Sequence, residues 1–352
     1  MNPALDNHPL IVVVGAGGVG KTTLAAALGL EAAAAGRDSL VMTFDPSLRL
    51  KDALGVSEEA RDAPVQVEIE RAGELWASLL DAQRTFDRLI ERYAPDDEAR
   101  ERILRNGFYK HLAGNLGGVL EYMAVERLYE VAREERFRHV ILDTPPTRQA
   151  LDFLEAPQRI VDFLDSGAIR LAMRGWFDDK GRLKPTSRLG FVGRSVEGFL
   201  DRIVGLDLLR DVAEFFEAFV PLYDGFRRRA IEVQQLLRSE RTLFLLVTGP
   251  GRERIAETLF FARKLEEAGY RVGPLIVNRV HPDFSGTATE GDAELFQWLG
   301  RRDREGLDEL TALLPGRPPV HLPLLPEEPS ALAEIERVGR LLDDRLRQSM
   351  AD

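Results

Sequence analysis

The sequence predicts an α/β fold, a doubly wound and mostly parallel sheet into which helical segments are inserted, and three observations carry that expectation. Residues 10–14 read Leu-Ile-Val-Val-Val, an unalternating β-branched run of the kind a strand buried on both faces requires. Similar runs recur at residues 39–44, 65–69, 139–142, 243–248 and 274–278, with helical patterns between several of them, as strands joined by crossover helices demand. A glycine-rich turn and then a helix-forming stretch follow the first run at once.

The uneven spacing of the runs predicts the insertions. More chain separates 65–69 from 139–142 than one crossover helix needs, and no strand pattern lies between Thr147 and Leu243. One domain over 1–352 is therefore expected, with helical insertions at 71–136 and 148–240 forming a subdomain. In 107–131 the residues Phe108, Leu112, Leu116, Val119, Met123 and Leu128 recur at helical steps. Residues 199–220 are apolar on more than one face, which suits either the subdomain's own core or a groove for a hydrophobic client segment. Residues 177–190 have the composition of an exposed loop. Leu332, Ile335, Val338, Leu342 and Leu346 predict a packed last helix.

Composition bounds the function. The 352 residues carry 47 Lys plus Arg against 58 Asp plus Glu, a net charge of -11, which argues against nucleic acid as a partner. No stretch has the length of an integral membrane segment, and no basic region precedes the first apolar run, so a cytoplasmic location is expected. The absence of cysteine removes disulfides, thiol catalysis and thiolate zinc sites.

The turn after the first strand carries the chemistry. Gly15-Ala16-Gly17-Gly18-Val19-Gly20-Lys21-Thr22 fits the phosphate-loop pattern G-x-x-x-x-G-K-[ST], between a strand and a helix as that pattern requires. Gly17, Gly18, Val19 and Gly20 would turn backbone N–H groups toward a polyphosphate, and the following helix adds its positive end. Lys21 is expected at the β/γ oxygens, Thr22 on Mg²⁺ and Thr23 at the α-phosphate. The fold expectation becomes that of a P-loop NTPase.

An acidic partner for the metal should end another buried strand, and Asp143 in Leu142-Asp143-Thr144-Pro145-Pro146 supplies it. Asp45, before Pro46 and Ser47, is placed to orient the attacking water or to hold Mg²⁺ through water. Asn278-Arg279-Val280-His281 lacks the carboxylate a guanine site would offer, so adenine is expected, with Asn278 bonding its amino edge. Pro323 and Leu324 would wall the adenine ring, or else form only a loop ahead of the last helix.

These residues resemble the ArsA-type ATPases, a deviant P-loop group related to MinD and ParA that includes arsenite-pump ATPases and the ATPases that target tail-anchored membrane proteins. The resemblance runs through Gly15 to Thr23, Phe44-Asp45-Pro46-Ser47, Phe108-Tyr109, Glu121 to Glu126, Asp143 to Thr147, Asn278 and the segment Leu322 to Pro326. It implies a parallel sheet flanked by helices, ATP hydrolysis with Mg²⁺, a homo- or heterodimer, and a helical subdomain that moves with nucleotide state. Asp45 would then lie in the first switch and Asp143 in the second.

Three departures stand out. The family's loop typically begins Gly-Lys-Gly-Gly, its first lysine reaching a partner's phosphates, and Ala16 occupies that place. Arg49 or Arg148 is the expected substitute. Without cysteine, neither metalloid sensing nor a Cys-x-x-Cys zinc clamp is possible. The leading expectation is an ATP-hydrolysing, Mg²⁺-dependent conformational switch acting on a protein partner or hydrophobic client. The alternatives are a non-catalytic or half-of-heteromer ATP-binding regulator and, third, a MinD- or ParA-like positioning ATPase.

Overall fold

The computed structural model describes residues 6–44, 49–61, 63–94, 96–107, 109–110, 119–165, 211, 215, 222–282, 291–314, 319–329 and 331–349. The strands are β1 Leu10–Gly15, β2 Ser39–Thr43, β3 Val65–Val67, β4 Leu75–Leu79, β5 His139–Asp143, β6 Thr242–Thr248, β7 Val272–Val280 and β8 Val320–Pro323. The helices are α1 Lys21–Ala34, α2 Arg49–Leu54, α3 Ala82–Tyr93, α4 Asp97–Arg105, α5 Val119–Glu134, α6 Thr147–Asp165, α7 Tyr223–Arg238, α8 Ile255–Glu267, α9 Gly291–Leu313 and α10 Leu332–Ser349. The chain divides into two compact units, one made of residues 1–80, 128–151 and 235–352, the other of 81–127 and 152–234.

The first unit is built on an eight-stranded sheet of order β3-β4-β2-β5-β1-β6-β7-β8. All neighbours run parallel except β3, which pairs antiparallel with β4. Every residue of β1, β2, β5 and β6 is buried, which is why these segments read as unbroken apolar runs. Strand β4 lies within the segment 71–136 expected to be helical, and β8 has no counterpart among the expected strand runs. The sequence Leu-Trp-Ala-Ser-Leu of β4 mixes small, polar and aromatic residues, so sheet pairing with β2 overrides a weak local pattern.

Helix α1 covers the sheet with small and aliphatic residues, Leu24, Ala25, Ala26, Ala27 and Leu28 all buried. Helix α10 packs on it as expected for the last helix, sinking Ile335, Val338, Leu342 and Leu346 into the same core. Gly339 makes the close approach possible: a Cβ there would stand 2.9 Å from the Ala27 carbonyl oxygen.

The second unit has a separate, aromatic core. Asp81 and Asp96 cap α3 and α4 by accepting from the backbone N–H groups of Arg84 and Ala99 at 3.0 and 2.7 Å. Phe86, Tyr109, Phe215 and Phe226 then pack together, with Phe86 and Tyr109 ring centroids 5.0 Å apart. Arg229 donates to the fully buried Glu126, whose other oxygen accepts from the Tyr122 hydroxyl at 3.3 Å. The segments 177–190 and 199–220, read above as a loop and as core or groove, lie outside the described residues, apart from Asp211 and Phe215.

Candidate functional site

The site begins where β1 ends. The chain leaves the sheet at Gly15, turns through Gly18 and Gly20 in left-handed backbone (φ 74° and 89°) and enters α1 at Lys21. Gly20 is favoured on two counts: its φ is left-handed, and a Cβ there would crowd the amide nitrogen of Asn278, which would have to move. At Gly18, by contrast, a Cβ would meet nothing within 4 Å, so the loop's tip faces open space. Lys21 is only 8 % exposed, and its Nζ donates to the Ala16 carbonyl at 2.9 Å, drawing the ammonium back over the loop.

Beside the loop lies the carboxylate of Asp143, the last residue of β5 and 1 % exposed. Register places it level with Val13 of β1 and Thr43 of β2. Thr22 Oγ1 donates to its Oδ2 at 2.7 Å and Thr43 Oγ1 to the same oxygen at 3.1 Å. A hydroxyl and a carboxylate side by side at a phosphate loop are the hard oxygen donors Mg²⁺ takes, so the residues fit that ion. Among the described residues no cluster of three or more His, Asp or Glu side chains could hold a metal alone, so phosphate or water would have to complete its shell.

A cavity of about 250 Å³ is bordered by Gly20, Thr23, Asn278, Arg279, Pro323 and Leu324. Strand β8 brings Pro323 level with Val280 of β7, and the Leu324 N–H donates to the Val280 carbonyl at 2.7 Å. Asn278 is engaged at both ends: its Nδ2 donates to the Val19 carbonyl at 2.8 Å, and its Oδ1 accepts from the Arg279 N–H at 3.0 Å. These two bonds orient the amide between the loop and the end of β7. Val19 contributes backbone only, its side chain being sunk in the core.

A family model described as anion-transporting ATPase matches residues 8–179. A protein of Aquifex aeolicus named as an arsenical pump-driving ATPase is 25% identical over 338 residues, covering 95% of this chain and 78% of that protein. ATPase GET3 of Podospora anserina is 25% identical over 344 residues, 96% of this chain and 92% of its own length. The chain is similar to the ArsA-type ATPases. ATPase GET3B of Arabidopsis thaliana is 27% identical over 297 residues, 77% of this chain and 64% of that protein. The matching family and these relatives are all described as ATPases, and the eight-stranded P-loop fold agrees with that similarity.

Not every expected residue comes into view. Asp45 lies outside the described residues, as does the side chain of Arg148, and Arg49 is exposed at the start of α2. Two arginines not singled out from the sequence do reach the loop. Arg254 Nη1 lies 3.4 Å from the Gly17 carbonyl and Arg279 Nη1 lies 3.1 Å from the Gly18 carbonyl. Arg279 also pairs with Glu328 at 2.7 Å, and it holds a left-handed backbone, φ 64°, that non-glycine residues seldom adopt. Contacts across 237 and 261 positions leave no local trace in a sequence, though an arginine directly after the candidate base residue is a signal that could have been followed.

Proposed function

We propose that this protein is an ArsA-type ATPase that binds ATP with Mg²⁺ and hydrolyses it to drive a conformational switch, as a dimer acting on a protein partner or a hydrophobic client. The observation that carries the reading is the 2.7 Å bond joining the phosphate-loop hydroxyl of Thr22 to the strand-end carboxylate of Asp143. Hydrolysis of a phosphoanhydride asks a protein mainly to position and to neutralise charge. In this reading Lys21 leaves the Ala16 carbonyl for the β/γ oxygens, and the N–H groups of Gly17 to Thr23 line the phosphates. Thr22 and Asp143 are the residues that would hold Mg²⁺, which when bound offsets phosphate charge. Asp45 is assigned to align the attacking water. Asn278, Pro323 and Leu324 take the adenine.

The test is phosphate release by the purified protein with Mg²⁺-ATP, beside Lys21→Ala. Turnover that the substitution abolishes supports the reading, and equal turnover in both proteins overturns the site. Ala16 favours a second reading, an ATP-binding regulator without turnover of its own, because a small apolar residue there adds no charge to the loop. Tight ATP binding with no phosphate release, alone or with a partner, would select it.

A further inference from the structure

Four consecutive carbonyls of the phosphate loop are each engaged by a different side chain. Ala16 accepts from Lys21 at 2.9 Å, Gly17 from Arg254 at 3.4 Å, Gly18 from Arg279 at 3.1 Å and Val19 from Asn278 at 2.8 Å. A peptide unit is planar and trans, so its carbonyl and the next residue's N–H point in opposite directions. Lys21 is the donor assigned to leave for the phosphates, so the lasting holds are the other three; a Gly17 carbonyl held by Arg254 and a Gly18 carbonyl held by Arg279 turn the N–H groups of Gly18 and Val19 the opposite way, free for a phosphate. Three of the four donors are cationic, which polarises the peptide units and raises the potential around the loop.

We propose that Arg254 and Arg279 are positioning residues that preform the polyphosphate cradle, so that the loop is set for a nucleotide before one arrives. This rests on the ATP-binding reading given above. Both arginines are themselves fixed. The Arg254 side chain lies across Gly249, where a Cβ would stand 3.1 Å from its Cδ and Nε. Arg279 is tied at its other end to Glu328, and its left-handed backbone turns the side chain back from the end of β7 to the loop. Such strain is retained where surrounding contacts determine the conformation.

The experiment uses the full chain with Arg254→Gln and Arg279→Asn, singly and together; asparagine tolerates the left-handed backbone, so the fold is kept while the cation is removed. ATP, ADP and millimolar adenosine are titrated at low and high salt. Each substitution is expected to weaken ATP about tenfold and the pair by more than either alone, with a shallower salt dependence and adenosine binding within about twofold of the parent. ATP affinity unchanged in both single variants overturns the proposal while leaving the ATPase reading intact. Adenosine weakened as much as ATP also overturns it, since the damage would then be to the base cavity. A parent protein that binds no ATP at all overturns the underlying reading, and this proposal with it.

Discussion

Thr22 of the phosphate loop and Asp143 of β5 are separated by 121 positions of chain and joined by a 2.7 Å hydrogen bond, and Thr43 reaches the same carboxylate oxygen from β2. The bond joins a hydroxyl of the phosphate loop to a strand-end carboxylate, the two groups to which the proposed function gives the metal.

Asp143→Asn keeps the volume of the side chain and removes its charge. Hydrolysis is expected to fall about 10²-fold or more, as for loss of one preorganised electrostatic group, while ATP binding without Mg²⁺ stays near that of the parent. Phosphate release against Mg²⁺ concentration checks it. A variant with the parent's rate and the parent's Mg²⁺ requirement would remove Asp143 from the metal site.

Gly18 and Gly20 share a left-handed backbone but differ in surroundings. Gly18→Ala should cost only the backbone strain, about 1 kcal/mol, because open space receives the methyl group. Gly20→Ala adds an overlap with the Asn278 amide and should cost more, with ATP affinity falling by about tenfold or beyond. Denaturant unfolding and ATP titration of the two variants measure the difference, and equal effects would mean that the Asn278 contact is immaterial.

Asp303 of α9 is fully buried and accepts from the His281 N–H at 2.9 Å, the His281 ring at 2.7 Å and Arg302 at 2.9 Å. Burial alone would raise its pKa, but these donors outweigh burial and hold the carboxyl below its ordinary value. A carboxylate with a depressed folded pKa stabilises the fold above the ordinary value near 3.8, and that contribution is lost as pH falls through the folded value. Asp303→Asn should therefore destabilise by about 1–3 kcal/mol at neutral pH, with the gap to the parent closing below about pH 4. Denaturant midpoints across that range test it, and a gap independent of pH would refute the charge argument.

What could be read in advance follows from where the determining interactions lie. The strands β1, β2, β5 and β6 are legible because burial on both faces forces an apolar run, and the phosphate loop because its glycines and Lys21 are contiguous. Strand β8 was hidden by its length, four residues ending in Pro323, and by alternation of buried and exposed positions. Strand β3 was legible as the run 65–69, of which Val65–Val67 forms the strand, but not in its antiparallel direction, which pairing with β4 decides. Asn278 could be singled out by type, yet its bonds to Val19 and Arg279 depend on β7 delivering it to the loop. Arg254 and Arg279 belong to the same class, since only the packed sheet brings them to Gly17 and Gly18.

The register of β5 against its neighbours has a last consequence. Asp143 stands opposite Val13 on one side and Thr43 on the other, and successive strand residues face opposite ways. A slip of one position would carry the carboxylate to the far face and present Leu142 or Thr144 to Thr22 instead. The hydrophobic pairing of three central strands is thus also the ruler that sets the site, and a chain misaligned by a single residue could keep its secondary structure and still be chemically silent.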